Sequence, residues 1–433
     1  MNGQRVNIGI IGLGTVGSGV ARILLQQQEL LKARSTLTFH LKTIAELDWN
    51  RDRNLDLSNV KCTDNVYDVL DDPDINIVVE TIGGYEPAFS FIKRALQNRK
   101  HVVTANKALI ATRCRELFQI ARENGVDILF EASVGGGIPI IKGLREGLIA
   151  NKIESIYGIL NGTCNYILTK MHKDNVEFED ALKGAQTNGF AEADPTLDIN
   201  GTDTAHKLSI LGSLASDSIV PFDKIYVEGI TGISKLDIDF AKSFGYTIKL
   251  LAIYRVFNGG IDIRVHPTLV SDTHLLSAVN NEMNAIFVTG DFVGNTVFYG
   301  PGAGERPTAS AIVGDIVDLS RDLLLKEGQK YCNRTINPTA DVKIIPIEEV
   351  ANRFYLRLFT LDKPGVLAKI SGVFADYRIS ISSMVQLETH EKDNYVPIVL
   401  LTHEASEKSM EQALRKIAQF DFVKENYLRL RIF

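Results

Sequence analysis

A short apolar run, Val6–Ile11, passes directly into Gly12-Leu13-Gly14-Thr15-Val16-Gly17 and then into an amphipathic stretch, Val16–Leu31. No other feature constrains the fold as strongly. A strand, a glycine turn and a helix in that order form the context of a dinucleotide-binding fingerprint. The first glycine permits the tight turn, the second lets backbone approach a pyrophosphate, and the third lets helix meet strand. The opening N–H groups of the helix are left to bind phosphate. Gly12, Gly14, Thr15, Val16 and Gly17 are therefore candidate cofactor contacts.

The alternation continues. Leu41–Glu46, Ile75–Glu80, His101–Thr104 and Asp127–Phe130 read as buried strands, and Pro87–Gln97 and Arg113–Asn124 as helices. Such alternation implies right-handed βαβ units and a parallel sheet. Residues 1–134 are thus expected to form a Rossmann-type, doubly wound α/β domain. Glu46 and Asp48 stand 29 and 31 residues after Gly17, later than the usual ~20 for a ribose-reading acid. A carboxylate there favours NAD(H). Arg51 and Arg53 could instead receive the 2′-phosphate of NADP(H), or simply be solvated.

From Gly135 the pattern changes. Helical segments (Ile140–Ile149, Tyr166–His172, Ala181–Thr187, Thr202–Leu214) mix with strand-like runs (Ile153–Leu160, Thr247–Phe257, Ile261–Val270, Asn284–Val288, Asn295–Phe298). Residues 135–306 read as a mixed α+β domain for substrate binding and dimerisation. Pro307–Leu325 reads as one helix returning to the first domain, and 333–349 as a proline-punctuated linker. Residues 350–433 follow the order strand (Phe354–Phe359), helix (Val366–Tyr377), strands (Ile379–Leu387, Tyr395–Thr402), helix (Ser406–Gln419), strand (Val423–Ile432). That βαββαβ order is ferredoxin-like.

Composition excludes several classes. A length of 433 residues calls for two or three domains. The formal charge of −6 offers no basic surplus for nucleic acid. Four cysteines (Cys62, Cys114, Cys164, Cys332) lie far apart, which argues against a disulfide framework or zinc knuckle and fits a reducing compartment. No apolar run approaches the ~18–20 residues that span a bilayer. The N-terminal apolar segment is too short for a signal peptide, so a cytoplasmic location is expected.

The chemistry concentrates between Ala185 and Lys207. Asp203 and Lys207 are four apart on an expected helix and share a face. That pair can hold an ammonium ready for proton transfer to an alkoxide. Glu192 and Asp198 can hold a substrate ammonium by charge-assisted hydrogen bonds. Taken alone, the segment reads equally as a surface ion pair followed by a turn.

Ala185–Lys207 also resembles the signature of the homoserine dehydrogenase family, with Asp194-Pro195 and then Asp198-x-x-Gly201-x-Asp203-x-x-x-Lys207. Thr104-Ala105-Asn106-Lys107, Glu131–Pro139, Leu160-Asn161-Gly162-Thr163 and Gly302–Thr308 are similar to other stretches of that family, in the expected order. The resemblance implies that Lys207 is the general acid/base, that Asp203 positions it, and that Lys107 orients substrate beside the nicotinamide. It implies substrate contacts from Glu192, Asp198, Asn161, Gly162 and Thr163, and cofactor contacts from Thr104, Lys107 and Gly304 besides those of the glycine turn and Arg51. A sodium ion held by the backbone at Glu131, Val134, Gly136 and Ile138 is implied as well. The alternative from the residues alone is a flexible glycine loop.

Thr360-Leu361-Asp362-Lys363-Pro364-Gly365-Val366-Leu367 resembles the loop of ACT domains. This implies an effector site at Asp362, Gly365, Val366 and Leu367, with L-threonine as inhibitor, or else a module that only dimerises. The expected reaction interconverts L-aspartate 4-semialdehyde and L-homoserine with NAD(P)H, in a homodimer or homotetramer. Nucleic-acid and membrane partners are not expected. Two rivals are a semialdehyde dehydrogenase using Cys164 as nucleophile and a non-catalytic amino-acid sensor.

Overall fold

The N-terminal apolar run forms strand β1 (Arg5–Ile11), in which Ile8 and Ile10 are fully buried. In the computed structural model, residues 5–323, 336, 341–386, 395–424 and 426–433 are described. They divide into two compact units: Met1–Glu154, Ala205–Lys224 and Asn284–Val342 form one, and Ser155–Thr204, Ile225–Met283 and Lys343–Phe433 the other.

In the first unit β1 is joined by β2 (Thr38–Ala45), β3 (Lys61–Thr63), β4 (Ile77–Glu80), β5 (His101–Thr104) and β6 (Ile128–Leu129). The order is β3-β2-β1-β4-β5-β6, with every pairing parallel. This is the doubly wound order, and its crossover reverses between β1 and β4, where such sheets bind ligands. The helices are α1 (Thr15–Gln26), α2 (Gln28–Ser35), α3 (Tyr67–Leu70), α4 (Ala88–Gln97), α5 (Lys107–Asn124) and α6 (Ile140–Lys142).

Three details differ from expectation. The helix expected over Val16–Leu31 breaks at Gln27, because burial ends at Leu24 and α2 buries only Ser35. α5 starts six residues before Arg113, since the Asn106 side chain accepts from Leu109 N and caps it. The helix expected over Ile140–Ile149 leaves α geometry after Lys142 for a wider turn, Gly143–Gly147.

The chain continues with β7 (Ile153–Ile159), α7 (Gly162–Asp174), α8 (Phe178–Thr187), α9 (Thr196–Ile199), α10 (Thr202–Ser216), β8 (Tyr226–Val227), α11 (Lys235–Ser243), β9 (Tyr246–Phe257) and β10 (Gly260–Ser271). β9 and β10 pair antiparallel from Phe257↔Gly260 to Tyr246↔Ser271. All of β10 except Ser271 is buried, so both of its faces are covered. α11 was not anticipated. It opens on a capping box in which the Asp237 carboxylate accepts from Ser234 N (2.9 Å) and Ser234 Oγ (2.5 Å).

β11 (Met283–Gly290) and β12 (Gly294–Pro301) then pair, and α12 (Glu305–Leu323) follows. α12 places Ala309, Ile312, Val313, Ile316 and Leu319 in one core with Val6, Ile8, Val20 and Leu24. Each of the buried Val, Leu and Ile side chains contributes about 1.5–3 kcal/mol. Residues 324 and 325 of the expected helix lie outside the described residues, as does most of the expected linker 333–349.

The C-terminal module comprises β13 (Ala351–Leu361), α13 (Val366–Asp376), β14 (Ile381–Gln386), β15 (Tyr395–Thr402), β16 (Ala405–Ser406), α14 (Glu407–Ile417) and β17 (Leu428–Ile432). Its sheet order, β17-β13-β15-β14, is antiparallel and ferredoxin-like. Residue 387 of the expected second strand lies outside the described residues, and the last strand begins at Leu428 rather than Val423. β17 also pairs in parallel with β10, Thr268↔Arg431 and Leu269↔Ile432. Within the second unit the sheet therefore runs β7-β9-β10-β17-β13-β15-β14.

Candidate active site

The glycine turn sits at the carboxyl end of β1. Gly12 N donates to the Ala45 carbonyl (2.9 Å), which anchors the turn to β2. A Cβ on Gly17 would lie 2.1 Å from the Gly12 carbonyl oxygen, so helix and turn can close only over glycine. α1 begins at Thr15 and Val16 behind Gly14, with no side chain capping its N–H groups. That leaves donors of the kind a pyrophosphate takes.

Glu46 is turned inward. Its carboxylate accepts from the backbone of Leu13, Leu47 (2.8 Å) and Asp48 (3.0 Å). Burial alone would raise its pKa, but these three N–H donors outweigh it and hold the carboxyl below its ordinary value. Arg53 supports the same turn, donating from Nε to the Leu13 carbonyl (2.6 Å) and from a guanidinium nitrogen to the Asp48 carbonyl (2.6 Å). It is a clamp and not a solvated charge. Arg51 is exposed.

Thr104 is buried, and its hydroxyl donates to Glu80 (2.6 Å). Glu80 also accepts from Ile82 N and Gly83 N (both 2.9 Å) and so shapes the turn after β4. Lys107, half-buried, is the first residue of α5, behind the cap residue Asn106, whose amide donates to the Gly84 carbonyl (2.7 Å). Gly304 immediately precedes α12.

In the Glu131–Ile138 loop the Glu131 carboxylate is engaged by backbone N–H groups. It accepts from Ile141 N (2.9 Å) and Lys142 N (2.8 Å), and burial raises its pKa against those donors. Its own N–H donates to Asp315 (2.8 Å). The Ile138 carbonyl accepts from Ile140 N (2.8 Å). Among the described residues no donor is directed at the carbonyls of Val134 or Gly136. Acceptors left in this way suit a hard monovalent cation. No group of three or more His, Cys, Asp or Glu among the described residues is placed to hold a metal.

The second unit gathers the expected substrate residues at the start of α7. Asn161 caps that helix, its Oδ1 accepting from Cys164 N (2.8 Å). Its amide nitrogen donates to Asp198 (2.7 Å) and to Asp203 (2.8 Å), holding two carboxylates apart by one NH₂ group. Thr163 Oγ1 donates to the Phe190 carbonyl (2.5 Å) and reaches Asp198 (3.2 Å). Gly162 packs where a Cβ would lie 2.8 Å from the Glu282 carbonyl. Glu192 is exposed and takes no part in this hydrogen-bonded cluster. Lys207, one turn after Asp203 along α10, is buried and falls in the part of that helix that belongs to the first unit. Cys164 is fully buried, its thiol donating to the Asp198 carbonyl (3.2 Å). That is the environment of a structural cysteine and not of a nucleophile.

In the C-terminal module Gly365 is the cap residue of α13 and supplies no side-chain cap. Val366 is buried and Leu367 half-buried. Exposed Asp362 accepts from Gln386 (3.2 Å).

Sequence reasoning passed over Glu80, Lys249, Asp315 and the pair Glu228 and Arg431. The available signal was a lone charge in an apolar run: Glu80 ends Ile77-Val78-Val79, and Lys249 interrupts Thr247–Ile253.

Among the described residues no helix is long and apolar enough to cross a membrane. A family model described as homoserine dehydrogenase matches residues 139–317, its NAD binding domain matches 12–131, and an ACT domain matches 354–419. The homoserine dehydrogenase of Pseudomonas aeruginosa is 42% identical over 99% of this chain and 98% of its own length. That of Bacillus subtilis is 41% identical over 98% and 97%. The crystal structure of a homoserine dehydrogenase from Thiobacillus denitrificans superposes with a TM-score of 0.93 at 43% identity, covering 100% of this chain and 99% of that one. A hyperthermophilic archaeal homoserine dehydrogenase in complex with NADPH gives 0.62 at 29% identity, covering 73% and 98%.

Proposed function

The chain belongs to the homoserine dehydrogenase family, and from that premise we propose the roles of its residues. It is an NAD(P)-dependent oxidoreductase acting on a CH–OH group, and it interconverts L-homoserine and L-aspartate 4-semialdehyde. The observation that carries the residue roles is the amide of Asn161 bridging Asp198 and Asp203.

When bound, the nicotinamide exchanges a hydride with the carbon that bears the substrate oxygen. The protein orients that carbon and manages the proton. Asp198 accepts from the substrate ammonium, Thr163 and Asn161 fix the orientation of its carboxylate, and exposed Glu192 adds a second acid on the preceding turn. Asp203, restrained by Asn161, positions Lys207 from one turn earlier on α10. Lys207 takes the hydroxyl proton as homoserine is oxidised and returns it to the oxygen in the reverse direction. Lys107, half-buried at the head of α5, polarises the substrate. Gly12, Gly14, Thr15, Val16 and Gly17 hold the pyrophosphate with Thr104 and Gly304 nearby. With Glu46 engaged by backbone, exposed Asp48 and Arg51 are the groups left to meet the ribose, Asp48 suiting NAD(H) and Arg51 the 2′-phosphate of NADP(H).

The carbonyls of Val134 and Gly136 fit a sodium ion, with the backbone of Glu131 and Ile138 completing the loop; the ion would hold the loop in shape. L-threonine is the proposed effector, bound at the uncapped start of α13 by Gly365, Val366 and Leu367, with Asp362 at the rim. A homodimer or homotetramer in the cytoplasm is the proposed working form.

The test is homoserine-dependent reduction of NADP and NAD, followed by nicotinamide absorbance, in wild type and Lys207→Ala. Loss of the acid/base lowers turnover by about 10²–10⁴-fold. Near-normal turnover in Lys207→Ala overturns the assigned role, and an unaffected Cys164→Ser excludes the thioester alternative.

A further inference from the structure

We propose that Glu228 is a positioning residue for the reaction: gripped by the arginines of the C-terminal strand, it holds the backbone on which Asp198 rides. The inference rests on the reading of Asp198 as a substrate-binding residue.

α9, which carries Asp198, is four residues long and buries none of them. A helix without a core of its own is placed by what touches it. Its end is held by the segment that follows Glu228: Ile230 N donates to the Ile199 carbonyl (2.8 Å). Gly229 lies so close that a Cβ there would stand 2.2 Å from the Ile199 carbonyl oxygen and 2.6 Å from Asn200 Cα. A shift of Glu228 is therefore passed to α9 through backbone.

Glu228 is itself fixed on two sides. Its N–H donates to the Val265 carbonyl of β10 (2.8 Å). Its carboxylate accepts from Arg429 (3.0 Å), Arg431 and Tyr226. Burial opposes the charge, but Arg431 outweighs it and keeps the carboxyl below its ordinary pKa. Arg431 is 1% exposed and also forks onto Glu407 of α14 (2.7 and 3.0 Å). Glu407 accepts from Asn352 of β13 (2.8 Å). Glu407 of α14 thus ties β13 to β17, and β17 alone carries that network to Glu228.

The joint also has room to move. A cavity of about 310 Å³ adjoins it, lined by Glu228, Gly229, Ile233, Leu414, Leu428 and Arg429 among others. A change in how β17 grips Glu228 would be felt at α9, and two arrangements with different substrate affinity are what coupling between module and site requires.

Glu228→Gln keeps the size and removes the charge. KM for homoserine rises about 10-fold, as expected when a binding group is misplaced by less than an ångström. Turnover stays within about 3-fold, and NADPH affinity, read by nucleotide fluorescence, is unchanged. Arg429→Met, which leaves Arg431 in place, shifts KM in the same direction and decides the matter if Glu228→Gln does not fold. Glu228→Asp, which restores the charge, recovers part of the loss. A folded Glu228→Gln or Arg429→Met with KM within about 2-fold of wild type overturns the inference, as does an equal loss of NADPH affinity. Wild type is run alongside. If it fails to reduce nucleotide with homoserine, the activity falls and this inference with it; normal wild-type turnover with unchanged variant KM refutes the inference alone.

Discussion

Replacing Lys249 with methionine should abolish a rise in stability that the wild type shows above neutral pH. Lys249 lies on β9, 1% exposed, and its ammonium donates to the Asn165 side-chain oxygen (3.1 Å) and the Val279 carbonyl. Neither partner is a carboxylate. Burial, aided by the charge of Lys173, lowers its pKa from 10.5 to about 7. Between those values the unfolded chain binds a proton that the folded chain does not, so stability increases with pH across that window. One pKa unit corresponds to about 1.36 kcal/mol, and the full window amounts to about 5 kcal/mol. From pH 7 to pH 9 the gain is about 2 kcal/mol. Methionine fills similar space and carries no charge, but leaves the Asn165 oxygen unpaired at about 1–3 kcal/mol. Val279 keeps its bond from the Asn165 amide (3.1 Å). Urea midpoints at pH 7, 8 and 9 for both proteins provide the assay, because titrations common to both cancel in the difference. Parallel curves refute a buried titrating lysine. A wild-type advantage that widens with pH supports it.

Two further perturbations act on the first unit. Asp315 is fully buried, and burial, with the Glu131 charge adding to it, raises its pKa to about 7. Between the ordinary carboxylate value and about 7 the folded state binds the extra proton, so stability falls as pH rises. Asp315→Asn keeps an acceptor for Glu131 N and should remove that fall, giving a variant more stable than wild type at pH 8 in urea titrations; a less stable variant contradicts this reading. Gly17→Ala places a methyl group 2.1 Å from the Gly12 carbonyl oxygen, and NADPH affinity should drop at least about 10-fold. Unchanged fluorescence titrations would show that the turn yields.

The parallel sheet was legible because buried strands and amphipathic helices leave periodic traces, and the glycine turn is a local conformational demand. Asp198 and Asp203 are legible as carboxylates in a polar segment, and the family resemblance adds Asn161 and Thr163, but their meeting is not legible: the amide of Asn161 spans 37 and 42 residues of chain to reach its two carboxylates. In the sequence Arg53 is equally a phosphate ligand or a solvated charge, because a guanidinium on a loop carries no mark of the carbonyl it will meet. Glu80 and Lys249 were absorbed into apolar strands, since an isolated charge does not alter the period. The helix at Lys235–Ser243 is not legible although Ser234 and Asp237 stand at capping-box spacing, because Leu236, Ile238 and Phe240 alternate with charged residues as they would along a strand.

The junction of β17 with β10 poses a separate physical problem. Only two residue pairs define that parallel register, which is too little backbone to fix it alone, and slipping a strand by one residue reverses every side chain. Arg429 and Arg431 point to the same face and meet Glu228 and Glu407 together. A slip of β17 would break its five-pair ladder with β13 and leave buried Glu407 and half-buried Glu228 without cations; breaking a buried pair such as that of Glu407 costs about 3–5 kcal/mol. Apolar residues of the same size would bury as much surface but would tolerate the slipped alternative. The charges therefore act as a register lock for the strand that joins the C-terminal module to the substrate-binding sheet, and a lock made of ion pairs can be weakened by altering one of its members. Glu228, the member that also anchors the backbone beside α9, is where loosening the register would first reach Asp198.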